Sequence, residues 1–211
     1  MRIALLGAES TGKTRLAGEL AAHLRRQGKS IAVVPEVLRE WCRREGRTPR
    51  PEEQMPIAQE QESRVDAAAA TSEVVIADTT ALMVAIYSAM LFEDGGLYRF
   101  ALERQRGYQH TLLTGLDLPW VADGLQRDGP HVREPVDALI RSALSRAAIG
   151  FRVVYGSGAE RLANALAAIE PAAAPRAATD GLERDRPWQW TCEKCGDPDC
   201  EHRLFRTLLA R

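Results

Sequence analysis

Lysine is nearly missing from this 211-residue chain: only Lys13, Lys29 and Lys194 occur, and arginine carries almost all the positive charge. Arginine and alanine richness of this kind follows genome base composition and says little about function. The formal net charge is −1, so the chain lacks the overall basic field on which nucleic-acid binding rests. No run of about 18 apolar residues occurs, which excludes a membrane-spanning helix. The opening "MRIALLG" has none of the charged-then-apolar-then-small pattern of a secretory signal. A cytoplasmic protein with reduced thiols is expected.

Short apolar runs are what the chain does have. "RIALL" (2–6), "SIAVVP" (30–35), "EVVIAD" (73–78), "TLLTG" (111–115) and "FRVVYG" (151–156) are separated by helical patterns, notably "RLAGELAAHLRR" (15–26) and "PVDALIRSALSRAAI" (135–149). Strands alternating with helices predict βαβ units and a parallel sheet, and near-continuous apolar strands predict cover on both faces. Residues 1–169 therefore read as one doubly wound α/β domain. Residues 170–187, "EPAAAPRAATDGLERDRP", are rich in Pro, Ala and charge without apolar periodicity, and read as a linker to a tail at 188–211.

Between the first strand and the first helix lies "GAESTGKT", residues 7–14, which fits G-x-x-x-x-G-K-[ST] in the strand-to-helix setting that this loop requires. Gly7 and Gly12 permit torsions and close approach that a side chain would block. The main-chain amides of Glu9, Ser10, Thr11 and their neighbours are then expected to face phosphate, helped by the positive end of the helix. Lys13 is expected on the β/γ oxygens of ATP, and the Thr14 hydroxyl on Mg²⁺. Asp78, closing "EVVIAD", is the matching strand-end carboxylate for the metal, with a helix cap as its bland alternative.

The acceptor of the phosphoryl group is the next question. Thr79 follows Asp78 where motor ATPases place a water-activating Glu, and no N-K-x-D element for guanine occurs. Transfer to a hydroxyl needs instead a carboxylate at a strand end beside the loop. Glu36 in "VVPEVLRE" stands there, with Arg39 one helical turn on; an ordinary helix-start carboxylate is the competing reading. "DGLQRDGPHVREP" (123–135) has the glycines and arginines of a cover over a phosphoryl site, with Arg127 and Arg133 as the candidate charges. A plain solvated loop is the alternative there.

These segments, in order, resemble a known family. "GAESTGKT", "PEVLREW", "IAQEQ", "IADTTALMVAIYSAMLF" and "LTGLDLPWVADGLQR" are similar to the ribosylnicotinamide (nicotinamide riboside) kinase domain of bacterial NadR proteins, over about residues 3–156. The resemblance implies a P-loop NTPase of the nucleoside/nucleotide-kinase-like, three-layer type with a parallel sheet of about five strands. It also implies ATP-dependent phosphorylation of a ribosyl hydroxyl. Carried over by position, Gly7 to Thr14 hold ATP, Asp78 holds the metal, and Glu36, Arg39, Gln61 and Asp123 line the substrate side. The chain departs from the family at Thr80, where a carboxylate is usual, and at Val37, where an aromatic is usual. It also lacks the glycine before Gln61 and the H-x-G-H element of an adenylyltransferase.

The tail has a chemistry of its own. Cys192, Cys195, Cys200 and His202 follow a C-x₂-C-x₄-C-x-H spacing suited to tetrahedral, structural Zn²⁺, with redox thiols or plain reduced thiols as alternatives. Trp188, Trp190, Leu204, Phe205, Leu208 and Leu209 give it a large apolar load, expected to dock on the main domain, a second copy or a protein partner. Interleaved acids argue against nucleic acid. Two readings result: a Mg²⁺·ATP-dependent small-molecule kinase, and a nucleotide-gated ATPase or interaction protein with no small-molecule acceptor.

Overall fold

The computed structural model describes residues 1–121 and 129–170. The expected linker at 170–187 (beyond residue 170) and the tail with Cys192, Cys195, Cys200 and His202 lie outside the described residues, as do Asp123 and Arg127.

The strands are β1 (Arg2–Leu6), β2 (Ile31–Val34), β3 (Val74–Asp78), β4 (His110–Thr114) and β5 (Arg152–Val154). The helices are α1 (Lys13–Arg26), α2 (Val37–Glu45), α3 (Pro51–Ala69), α4 (Ala81–Phe92), α5 (Leu97–Gln105), α6 (Arg133–Arg146) and α7 (Gly158–Ile169), with a short 3₁₀ turn at Pro130–Val132. All strands are parallel, in the order β2-β3-β1-β4-β5. Leu5 is in register with Asp78 on one side and with Leu112 on the other.

The central strand shows why a continuous apolar run was needed. Successive side chains of β1 alternate between faces, and both faces are covered. Ile3 and Leu5 enter a core with Leu16, Leu20 and Leu24 of α1 and with Ala165 and Ile169 of α7. Leu6 enters the opposite core, built from α3, α4, α5 and α6 around Leu82, Ile86, Val136 and Ile140. Among the described residues no helix is long and apolar enough to cross a membrane.

Two chain reversals matter for the site. From β1 the chain passes over to β2 at the sheet edge and returns to β3; from β3 it crosses to β4 on the other side of β1. Ligands of open α/β sheets bind in the crevice that such a reversal leaves at the carboxyl ends of the strands. The loops after β1, β2, β3, β4 and β5 all emerge there.

Candidate phosphate and phosphoryl-transfer site

Backbone geometry comes first. Gly7 has φ +149°, and a Cβ built on it would lie 2.0 Å from the Thr114 hydroxyl oxygen at the end of β4. Only glycine fits a loop that leaves β1 so tightly against its neighbour. Thr114 donates to Thr11 Oγ1 at 2.7 Å, and Thr11 donates on to the Ala8 carbonyl at 2.8 Å. Gly12, at φ +75°, caps α1 in the left-handed region.

Lys13 is the first residue of α1 and is only 8% exposed. Its ammonium donates to the Gly7 and Ala8 carbonyls at 2.9 and 2.8 Å, curling over the loop. Burial pulls its pKa below the ordinary lysine value, opposed by the nearby carboxylates Glu36, Asp78 and Glu9.

Beside it a polar chain leads from Asp78 to Glu36. Thr14 Oγ1 donates to Asp78 Oδ2 at 2.5 Å. Arg39 Nη1 reaches Thr14 Oγ1 at 3.4 Å, and Arg39 Nη2 pairs with Glu36 Oε2 at 3.0 Å. Asp78 is buried, and its Oδ1 has no hydrogen-bond partner among the described residues. A buried carboxylate oxygen left unpaired beside a hydroxyl is a set of hard oxygen donors, and Thr14 with Asp78 fits Mg²⁺ on that ground. The next residue, Thr79, has φ +74°, an outlier for a β-branched side chain, and its amide donates to the Leu5 carbonyl at 3.1 Å.

Gln61 and Arg133 stand in positions that spacing alone does not give. Gln61 is buried; its Oε1 accepts from the Val37 amide at 2.9 Å and its Nε2 donates to the Pro35 carbonyl at 3.4 Å. It grips the backbone on both sides of Glu36, with both ends of its amide engaged. Arg133 is likewise buried, and its Nη2 donates to the Leu116 and Leu118 carbonyls at 3.2 and 2.9 Å. It holds the segment after β4, and that segment in turn covers the phosphate loop. Ser10 Oγ accepts from the Val121 amide at 2.8 Å, and a Cβ on Gly12 would lie 3.1 Å from Leu118 Cδ1.

Thr80 caps α4 by accepting from the Leu82 amide at 3.2 Å, and it donates to buried Gln105 at 2.7 Å. Its hydroxyl is committed to the helix end. Sequence reasoning missed Thr114, Asp117 and Arg161, all of which touch this site. Arg161 alone left a signal: a cation in the first turn of α7 runs against the helix dipole.

A parallel sheet of this strand order, with a phosphate loop at the β1–α1 junction and a strand-end aspartate on β3, defines a P-loop NTPase of the nucleoside- and nucleotide-kinase fold. The chain matches the AAA domain family over residues 2–161 and belongs to that family. Among solved structures, a deoxyadenosine kinase from M. mycoides superposes with a TM-score of 0.52 at 16% identity, covering 79% of this chain and 96% of that one. A thymidylate kinase from Ehrlichia chaffeensis superposes with a TM-score of 0.53 at 12% identity, covering 75% of this chain and 88% of that one. No curated protein matches the chain.

Proposed function

We propose that the protein is an ATP-dependent kinase that transfers the γ-phosphoryl group to a hydroxyl of a nucleoside-like small molecule. The observation that carries this reading is the placement of Glu36. It stands at the carboxyl end of β2, paired with an arginine that also reaches Thr14 of the phosphate loop. A base for an alcohol and a site for a triphosphate thus share one polar chain, as phosphoryl transfer requires. The fold likeness to a deoxyadenosine kinase is in keeping with a nucleoside acceptor, while that to a thymidylate kinase, whose acceptor is a phosphate, bears on the fold alone. Nicotinamide riboside enters as a candidate on the motif resemblance of residues 3–156.

The residues would divide the work as follows. The amides of residues 7–14 and the Lys13 ammonium hold the β- and γ-phosphates, at the cost of the lysine's two carbonyl contacts. Thr14 and Asp78 would hold Mg²⁺, which when bound neutralises phosphate charge. Glu36 takes the proton of the acceptor hydroxyl. The acceptor oxygen bonds to the γ-phosphorus while its bond to the β–γ bridging oxygen breaks, and ADP leaves. Arg39, freed from Thr14, would face the migrating phosphoryl group. Asp123 is proposed on the substrate side and Arg127 on the covering side, and Arg133 acts there by holding the segment that covers the loop.

The test is a panel of nucleosides, nicotinamide riboside included, incubated with Mg²⁺·ATP and the full chain and read by phosphorylated product. Acceptor-dependent ADP release with a phosphorylated nucleoside is the expected result. Slow hydrolysis indifferent to every nucleoside contradicts it and favours a nucleotide-gated ATPase. For the tail we propose structural Zn²⁺ on Cys192, Cys195, Cys200 and His202, on spacing alone. Metal analysis of the purified chain should find stoichiometric zinc; none would refute that assignment.

A further inference from the structure

Arg161 breaks two rules at once. It is 4% exposed, which for an arginine demands partners, and it lies in the first turn of α7, where the helix dipole disfavours a cation. Its contacts run to three separate loops. Nη2 donates to the Thr11 carbonyl at 2.7 Å; Nη1 donates to the Gly156 carbonyl at 2.8 Å and meets Asp117 Oδ1 at 3.3 Å. Asp117 closes the circuit by accepting from the Gly156 amide at 2.6 Å.

The contact to Thr11 is the informative one. A trans peptide is planar, so its carbonyl and its N–H point in opposite directions. Fixing the Thr11 carbonyl towards α7 therefore turns the Gly12 N–H the other way. Gly12 is the one residue of this loop's end whose torsions give no steric resistance to a flipped peptide, since it already sits at φ +75° and lacks a Cβ. A flip would replace a donor with a carbonyl oxygen in the row of amides that opens α1. A carbonyl oxygen among those amides faces the phosphate with like charge and weakens its binding.

The geometry points to Arg161 as a positioning residue that latches the Thr11–Gly12 peptide, keeping the Gly12 amide turned into the phosphate nest. Asp117 and the Gly156 carbonyl hold the latch in place, which ties the loops after β4 and β5 to nucleotide affinity. An arginine is required because its planar fork serves two carbonyls and a carboxylate together, and a lysine ammonium offers no such fork. The inference rests on the reading that the loop binds nucleotide phosphates.

Calorimetric titration of ADP and AMP, with Mg²⁺, into the full wild-type chain and into Arg161→Met tests it. The β-phosphate is the group the nest would hold, so ADP affinity should fall about ten- to a hundredfold, the worth of a charge-assisted contact, while AMP affinity changes less than about threefold. Equal losses for ADP and AMP, which a general loosening of the fold would give, overturn the latch. So does unchanged ADP affinity. Should Arg161→Met fail to fold, Arg161→Lys decides by the same ratio: an ADP-selective loss supports the latch and its absence refutes it. A wild-type chain that binds neither nucleotide would instead remove the phosphate reading beneath it.

Discussion

At the scale of single residues, the site is a set of charges placed where water cannot relax them. Lys13 shows the consequence most plainly. Burial lowers its folded pKa below 10.5, so between that lowered value and 10.5 the unfolded chain binds a proton that the folded chain does not. Stability then rises with pH across that window. Urea unfolding of wild type and Lys13→Met at pH 7 and pH 10 should show wild type gaining on the variant as pH rises, with the variant unable to bind ATP at either pH. Gly7 gives a harsher case. Gly7→Ala puts a Cβ 2.0 Å from Thr114 Oγ1 in a torsion that side chains resist, and should cost more than about 4 kcal/mol in the same experiment. Gly7, Lys13, Thr14, Glu36 and Asp78 were legible because each sits at a fixed offset from a strand end. Arg161 and Asp117 were not. Their partners are 150 and 39 residues away in sequence, and spacing is silent about contacts made through folding.

At the scale of elements, the five apolar runs became the five strands with ends shifted by at most a few residues, because a strand covered on both faces must be apolar throughout. The helix expected at 135–149 runs Arg133–Arg146, starting earlier because a 3₁₀ turn at Pro130–Val132 leads into it. Less legible was what fixes the start of α4, which follows Asp78 after Thr79 and Thr80. Glu62 of α3 is 2% exposed; its Oε1 accepts from the Ala81 amide at 2.9 Å and its Oε2 from the Tyr108 hydroxyl at 3.1 Å. Beside that hydroxyl, burial and the Glu62 charge push the Tyr108 pKa far up, keeping the phenol a donor. A glutamate inside a helical pattern reads as surface, and only the packing of α3 on α4 reveals it as a cap. Glu62→Ala leaves an amide and a phenol unpaired, and should destabilise the protein by about 2–4 kcal/mol in urea while ATP affinity at saturating stability stays within about threefold.

At the scale of the whole molecule, the strand order divides labour across β1. Glu36 follows and Asp78 ends the strands on one side; Thr114, Asp117 and Gly156 end or follow those on the other. The phosphate loop, which follows β1, lies between, and in the proposed function a bound nucleotide would turn its γ-phosphoryl group towards Glu36. Gln61 fixes the backbone that carries Glu36, the proposed base: it grips the Val37 amide and the Pro35 carbonyl on either side of it. That division is the central claim, and Glu36→Gln addresses it directly, with ATP affinity and product formation measured on the same preparation. ATP affinity should stay within about threefold of wild type while acceptor phosphorylation slows at least about a hundredfold, the contribution of a general base. Wild-type rates of product formation in Glu36→Gln, or loss of ATP binding in place of transfer, would contradict it.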